Sequence, residues 1–332
     1  MRGTIYFPLV LVWLAGACAT PPSPNTSTSS AATGPAQPAR TLVAVVQSEP
    51  KALASRIIGS QVQVSLNFSK RMFNADLTLL DDQSSPSPYL AEALPRLNSD
   101  DWKVLPDGKM DTTYRLRPNL VWHDGTPLTA DDFVFSWQVY STPDVGQAGS
   151  LPMKYIASVE APDPRTVLIH WAQPYWAAGA LQSLGAGTTG LPPLPRAILG
   201  PALDSGASAL VNHSYWTTGY VGSGPYRLDR WEPGAFLEGS AFDRHALGAP
   251  KIQRIKLAFM PDPNTAVAGV LAGEIQVTAD NATPLAQSLT LLRQMPAGGG
   301  VMVPGLSLWQ GAHFQSRPDF VSPAALRDAR VR

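Results

Sequence analysis

The sequence predicts a mixed α/β or α+β fold, because β-branched runs of strand length alternate with stretches that carry helix caps and helical periodicity. The chain has 332 residues, enough for about two domains of roughly 150 residues each. Charged residues make up only 15% of the chain, and 32 prolines and 27 glycines indicate a loop-rich, exported protein.

The predicted strands are short runs rich in Val, Ile, Leu and aromatic residues. Residues 41–46 (TLVAVV) form the clearest run and are predicted to be a buried strand. Residues 157–171 hold two such runs around Ala-Pro-Asp-Pro-Arg at 161–165, which predicts a hairpin. Further strands are predicted at residues 77–80, 112–116, 226–231 and 252–259.

Helices are fewer, and the best defined begins after Thr129. Thr129 is a good N-cap, and Asp131 and Asp132 complement the positive end of the helix dipole, so we interpret these aspartates as capping residues. Large apolar side chains then recur at i, i+4 and i+7, a stripe typical of core packing rather than of a ligand surface: Phe133, Trp137 and Tyr140. A second helix is predicted over residues 264–272, ended by Gly273.

The first 18 residues have the pattern of a signal peptide that ends in a lipid-attachment cysteine. Arg2 precedes an apolar run at residues 6–15, which is too short to cross a bilayer. The run leads into Leu-Ala-Gly-Ala and Cys18, the only cysteine of the chain. The alternative is an ordinary secretory signal with an incidental cysteine. Residues 19–40 are rich in Pro, Ser, Thr and Ala and are predicted to be a disordered tether.

Several classes of function are disfavoured by what the sequence lacks. The formal net charge is zero, which gives no electrostatic attraction for nucleic acid. The five histidines are scattered, so no metal site is predicted, and no phosphate-binding or dinucleotide-binding motif indicates a cofactor. No motif combines a nucleophile with a base. The chain is therefore not expected to be an enzyme, although a secreted hydrolase with an unrecognised site stays as a weak alternative.

Four groups of short motifs occur along the chain in an order and spacing typical of one protein family. They are LAEALP (90–95) with DWK (101–103); YRLRP (114–118) with WHDGTPLTADDFVFS (122–136); GSGPY (222–226) with WEPG (231–234); and IKLAF (255–259) with DPNT (262–265) and AGE (272–274). In this order and spacing the chain resembles the extracellular solute-binding proteins of family 5, the dipeptide and oligopeptide-binding group of ABC importers. The resemblance covers residues 41–332. Gln276 stands where the family usually has Asp, a position expected to be structural.

The resemblance implies an α/β fold of the periplasmic-binding-protein type II, with two lobes and an inserted subdomain. Residues 41–75 and 196–280 would form lobe I, residues 76–195 the inserted subdomain, and residues 281–332 the start of lobe II. Ser322 and Pro323 predict the start of a further helix close to the end at Arg332. We expect lobe II to be incomplete in this chain, solute binding to be weak or absent, and the chain to be marginally stable or prone to aggregation.

The resemblance also implies the function: a monomeric, lipid-anchored protein in the periplasm or on the outer face of the cell membrane, which captures peptides and delivers them to an ABC permease. Oligosaccharides, nickel complexes and opines stay open as ligands. An alternative is a peptide-sensing or cell-wall-recycling lipoprotein that is not coupled to transport. The candidate ligand-binding residues are Gly222, Ser223, Gly224, Tyr226 and Trp309. For residues 222–225 a plain structural turn is the alternative, and it is favoured over ligand contact.

Overall fold

The computed structural model describes residues 41–58, 67–81, 83–145, 147–184, 190–296 and 299–301. The predicted signal peptide with Cys18, the tether, Trp309 and the helix predicted at Ser322 lie outside the described residues. The strands, numbered in chain order, are β1 Thr41–Val46, β2 Thr78–Leu80, β3 Pro86–Pro88, β4 Trp102–Val104, β5 Met110–Arg115, β6 Ile156–Asp163, β7 Thr166–Trp171, β8 Tyr226–Glu232, β9 Phe236–Ala241, β10 Arg254–Phe259 and β11 Val277–Thr278. The helices are α1 Asn67–Phe73, α2 Ala130–Ser141, α3 Arg196–Asp204, α4 Ala207–Val211, α5 Pro263–Leu271 and α6 Leu285–Gln294.

A five-stranded mixed sheet has the order β11-β1-β10-β9-β8. β1 lies parallel to both β10 and β11, whereas β8, β9 and β10 are joined as antiparallel neighbours. The parallel pairing of β1 with β10 runs from Thr41 opposite Arg254 to Val46 opposite Phe259. The first strand of the chain therefore lies inside the sheet, paired on both sides with strands from more than 200 residues later.

The burial of β1 explains why its sequence is almost entirely apolar. Ala44 and Val46 join the main hydrophobic core, while Val45 packs on the opposite face in a smaller cluster with Ala266, Ile275 and Ala282. A strand that is covered on both faces needs apolar side chains at successive positions rather than an alternating pattern. The predicted buried strand is confirmed.

A second, antiparallel sheet has the order β4-β5-β7-β6, and α2 packs against β6 and β7. Phe133 and Tyr140 of α2 are fully buried, and Trp137 is partly buried against the same core. The helix stripe is therefore core, as predicted. One continuous hydrophobic cluster contains side chains of both sheets, including Leu257 of β10 and Ile169 of β7.

Most predicted elements have the expected type and place. β1, the hairpin of β6 and β7, β8, β10, α2 and α5 are all observed. β9 and the helices α1, α3, α4 and α6 were not predicted. Pro201 lies within α3, and proline normally argues against a helix interior because it lacks an N–H.

Candidate solute-binding pocket

A cavity with a volume of about 780 Å³ lies where β11 leaves the five-stranded sheet. Its walls are the β11 strand, the loop that follows, one face of α6 and Phe68 of α1. Ligand pockets commonly have volumes of roughly 300–1,000 Å³. The cavity is therefore large enough for a small peptide or another solute of that size.

The strand side of the pocket is fixed by the sheet and by one glutamine. Val277 and Thr278 pair with Ala44 and Val45 of β1. The Gln276 N–H donates to the Val43 carbonyl at 3.0 Å, and the Val43 N–H donates to Gln276 Oε1 at 2.9 Å. The side-chain amide of Gln276 thus extends the ladder by one bond, which agrees with the structural role expected for this position.

A tight loop turns the chain away from β11 at the pocket wall. Asp280 and Asn281 have φ values of 45° and 67°, a left-handed conformation that Asp and Asn tolerate better than most residues. The Ala279 N–H donates to Val45 O at 2.9 Å, and the Phe68 N–H donates to Asp280 Oδ2 at 2.9 Å. These bonds hold the loop between β1 and the first turn of α1.

A chain of hydroxyl groups crosses the polar side of the pocket. The Ser288 hydroxyl on α6 lies 3.0 Å from Thr283 Oγ1, which lies 3.0 Å from Thr278 Oγ1 on β11. A hydroxyl both donates and accepts, so these three groups form one connected series of hydrogen bonds between α6 and β11. The apolar side chains that line the pocket include Ile275, Val277, Leu291, Leu292 and Met295.

Asp280 is the one ionisable side chain among the described residues that line this pocket. Lys70 of α1 is a buried cation, 4% exposed, that interacts electrostatically with Asp280. Burial lowers the pKa of Lys70, and Asp76 opposes that shift more strongly than Asp280 does. Asp76 is itself fully buried, and this burial raises its pKa to about 7. The main charge partner of Lys70 is therefore Asp76 rather than the pocket carboxylate.

The predicted Gly222–Ser223–Gly224 segment lies elsewhere, buried between α1 and the loop at His123. The Gly224 N–H donates to Phe73 O at 3.0 Å, the His123 N–H donates to Gly222 O at 2.9 Å, and the Ala75 N–H contacts Ser223 Oγ at 3.3 Å. A Cβ on either glycine would lie closer than 3.0 Å to backbone atoms of residues 72–74. Glycine is required here because two backbone segments touch.

The His123 side chain completes this junction in its neutral form. The Gly222 N–H donates to its Nδ1 at 3.3 Å, so Nε2 carries the proton that is donated to Gly224 O at 2.9 Å. The charged ring would carry a proton on Nδ1 as well, and that proton would point at the Gly222 N–H, so the neutral ring is favoured. Burial lowers the pKa of His123 to about 4, opposed by its bond to Gly224. We interpret this cluster as structural.

Tyr226 begins β8 and is half-buried, with a pKa raised by burial. Neither Tyr226 nor residues 222–224 line the pocket, and Trp309 lies outside the described residues. A ligand-binding role for these five positions stays a prediction. The pocket residues themselves were not singled out in the sequence. Their only signal is the polar run Thr-Ala-Asp-Asn at 278–281, directly after a short apolar strand.

Other kinds of site receive no support from the described residues. Among them, no three His, Cys, Asp or Glu side chains are grouped so that they could hold a metal ion. None of the helices in the described part of the chain is both long enough and apolar enough to span a membrane.

The mixed sheet and the added antiparallel sheet have the α/β architecture of the periplasmic-binding type. The model of the family "bacterial extracellular solute-binding proteins, family 5 Middle" matches residues 92–332. The chain therefore belongs to family 5 of the bacterial extracellular solute-binding proteins. This confirms the resemblance and the fold class predicted from the sequence.

Relatives and solved structures agree with this assignment. The oligopeptide-binding protein AppA of Bacillus subtilis is 27% identical over 270 residues, which are 80% of this chain and 45% of that protein. A putative ABC transporter peptide-binding protein of Brucella ovis is 27% identical over 177 residues, 53% of this chain and 32% of that protein. The chain thus spans less than half the length of these two relatives.

Among solved structures, AppA of Bacillus subtilis in complex with a nonapeptide has a TM-score of 0.60 and 24% identity, and the match covers 76% of this chain and 45% of AppA. NikZ of Campylobacter jejuni in complex with Ni(L-His) has a TM-score of 0.58 and 25% identity, with coverage of 73% and 43%. The fold is therefore shared with proteins whose ligands differ. The family and these relatives are solute-binding proteins rather than enzymes.

Proposed function

We propose that this protein captures peptides, or similar small solutes, outside the cytoplasm and delivers them to the membrane permease of an ABC importer. The observation that carries the proposal is the pocket of about 780 Å³ at β11 and α6, in a chain of the family-5 solute-binding fold. The pocket combines hydroxyl groups, one carboxylate and an apolar wall, a composition typical of small-molecule sites.

The lobe boundaries predicted from the sequence are part of the proposal. All five strands of the mixed sheet come from residues 41–75 and 196–280, which supports the assignment of these residues to lobe I. All four strands of the antiparallel sheet come from residues 76–195, which supports their assignment to the inserted subdomain. α6 would then begin lobe II, so that the pocket lies at the boundary of the two lobes.

Solute capture would depend on closure of the two lobes around the ligand. A ligand shifts such an equilibrium only by the difference in its affinity for the open and closed states. Peptide is the preferred ligand class, because AppA was solved with a nonapeptide and the Brucella relative is named as peptide-binding. The Ni(L-His) complex of NikZ keeps small metal chelates as a second ligand class within the same fold.

The site of action follows from the N-terminus. Cys18 would carry the lipid, and residues 19–40 would link it to the folded part, so that the protein would act on the outer face of the membrane. The proposal takes the protein to be a monomer. Incorporation of radiolabelled palmitate that is lost in Cys18→Ser tests this step. Unchanged labelling of the variant would exclude lipidation at this cysteine.

The binding step is tested by titrating the full chain, labelled with ¹⁵N, with defined di-, tri- and pentapeptides. We expect saturable shifts at the amides of residues 276–288 and none at the amides of β5, which serve as an internal control. The titration should extend to about 10 mM, which corresponds to a binding free energy of about −3 kcal/mol. If none of the peptides gives a saturable shift at the pocket, peptide capture at this site is wrong.

A further inference from the structure

Trp176, in the loop that follows β7, projects into solvent. It is 80% exposed, whereas every other tryptophan in the described part of the chain is buried or half-buried. Tryptophan is on average highly buried, because its large ring removes much apolar surface from water. An isolated exposed apolar residue is common on protein surfaces, but Trp176 is part of a larger aromatic surface.

The loop that carries Trp176 is fixed to the sheet below it. The ring of Tyr175 stacks on that of Trp171 at the end of β7, with the ring centroids 5.0 Å apart. The Ala178 N–H donates to Tyr175 O at 3.1 Å, and the buried Tyr114 hydroxyl donates to Ala178 O at 2.6 Å. A loop that is already ordered loses little entropy when its exposed side chain binds a partner.

A continuous row of aromatic rings connects Trp176 to a lysine. The Trp176 ring centroid lies 6.0 Å from that of Tyr175, which lies 5.7 Å from that of Tyr155. The Lys154 Nζ lies 5.0 Å from the centroid of the Tyr155 ring. Lys154 is exposed, and none of the ion pairs in the described part of the chain includes it. Its ammonium group is therefore accessible to an anion beside the aromatic rings.

The neighbouring strands extend the apolar part of this surface. Trp171 pairs with Met110 of β5, and Met110 pairs with Val104 of β4. Val104 is 52% exposed at the edge of the sheet. The turn that follows Val104 adds no net charge, because Asp107 pairs with Lys109 at 2.9 Å. An anionic partner is therefore not repelled at this end of the sheet by the turn.

We propose that Trp176, Tyr155 and Lys154 dock on the surface of an anionic lipid bilayer. The indole lies in the headgroup region, and the ammonium group contacts a lipid phosphate. Trp and Tyr are enriched at membrane–water interfaces because each combines an apolar ring with a polar N–H or O–H group. A lysine beside them places its charge at the headgroups and is attracted by anionic lipid. None of these three residues lines the solute pocket, so the inference goes beyond the proposed function and does not depend on it.

The size of the surface favours a membrane over a protein partner. Specific protein interfaces involve about 20–30 residues on each side, far more than this row contains. A weak membrane contact is sufficient for a chain that is already tethered, because tethering raises the effective concentration of the second contact. A lipid on Cys18 would provide this tether, and residues 19–40 span at most about 75 Å when fully extended.

The test measures whether Trp176 enters lipid. The full chain with Cys18→Ser, which cannot carry the lipid, is the parent and is mixed with vesicles of phosphatidylcholine and phosphatidylglycerol. Bromine atoms on the acyl chains quench the fluorescence of tryptophans that contact them. Trp13 in the apolar N-terminal run is present in every variant, so the difference between the parent and Trp176→Ser reports Trp176 alone. Leu247→Ser is the control, because it removes a side chain that is 52% exposed outside this surface.

We expect the brominated anionic vesicles to quench the parent and Leu247→Ser more than Trp176→Ser, by the share of one of the nine tryptophans. Lys154→Gln should need about fivefold more lipid for half of this additional quenching, which corresponds to the usual contribution of one lysine near an anionic surface. Lys51→Gln removes an exposed lysine elsewhere and should behave like the parent. Vesicles of phosphatidylcholine alone should give weaker quenching of Trp176. These positions are exposed, and a thermal melt of each variant checks that it is folded.

Three results would overturn the proposal. The first is equal quenching of the parent and Trp176→Ser by the anionic vesicles. The second is quenching of Trp176 that is unchanged in Lys154→Gln and equally strong without phosphatidylglycerol, because the lysine would then have no part in binding. The third is a blue shift of the Trp176 fluorescence that grows with protein concentration in the absence of lipid, which would show that the surface contacts another copy of the chain. None of these results depends on whether the chain binds peptides.

Discussion

The carboxylate of Glu49 joins the loop after β1 to a hairpin 182 residues further along the chain. Its Oε1 accepts a 2.6 Å hydrogen bond from Trp231 Nε1, and its Oε2 accepts one of 2.9 Å from the Gly234 N–H. Trp231 and Gly234 belong to the WEPG motif that helped to identify the family. The motif therefore has a physical role: its indole and its turn amide position the loop that leaves the first strand.

Removing the Glu49 carboxylate should destabilise this junction. Glu49→Ala leaves the partly buried indole N–H and the turn amide without their acceptor, and we expect a loss of about 2 kcal/mol in the free energy of unfolding. Glu49→Gln keeps one acceptor and should lose less. Urea unfolding at pH 7 measures both values. Glu232→Ala, which removes a surface ion pair with Arg230 on the same hairpin, is the control and should cost less than about 1 kcal/mol.

Replacing each of the two aspartates at the start of α2 by alanine should have very different effects on the free energy of unfolding. Asp132 is 6% exposed, and it accepts hydrogen bonds from Trp122 Nε1 at 3.1 Å, the Thr129 N–H at 3.0 Å and the Arg196 N–H at 3.1 Å. Asp132→Ala leaves one buried and two partly buried donors unpaired and should cost about 3 kcal/mol. Asp131 is exposed, so Asp131→Ala should cost less than about 1 kcal/mol through the helix dipole alone. Equal losses for the two variants in urea unfolding would contradict this assignment.

The glycines of the GSGPY motif are expected to be intolerant of any side chain. In Gly222→Ala and Gly224→Ala the new methyl group overlaps backbone atoms of residues 72–74, which cannot move without displacing α1. Each variant should lose about 3 kcal/mol or more. Gly149→Ala is the control, because a Cβ there meets open space at ordinary φ, and it should change stability by less than about 0.5 kcal/mol. A stable, cooperatively melting Gly224→Ala would show that the close backbone contact is wrong.

The elements of this fold that could be predicted are those whose signals are local in the sequence. β1 and α2 were predictable, because an apolar β-branched run and a capped amphipathic stripe are local patterns. β9 was not, because Phe236–Ala241 contains Gly239 in its middle and forms a strand through pairing with β8 and β10. Tertiary pairing of this kind overrides weak local preference.

The pocket was harder to predict than the fold. Its acidic residue, Asp280, lies in a loop whose left-handed turn and bond to Phe68 join positions 212 residues apart. Nothing in the local sequence shows that α1 and the end of β11 meet. The sequence makes the glycine-rich GSGPY segment a candidate site, because glycine leaves backbone amides accessible to a ligand. In the structure, the missing side chains of Gly222 and Gly224 allow two parts of the backbone to come into contact.

Acid should destabilise the protein through His123. Its pKa is lowered by burial from 6.5 to about 4 in the folded chain, so between these values the unfolded chain binds the extra proton. The stability that the neutral imidazole contributes is therefore fully present above pH 6.5 and is lost as the pH falls towards 4, by up to about 3 kcal/mol. Proton NMR of the imidazole signals should show no titration of His123 above pH 5, and His123→Asn should flatten the fall in unfolding free energy between pH 7 and 5. A midpoint near 6.5 would mean that the ring is solvated, and the Gly222–His123–Gly224 junction would then not form as described.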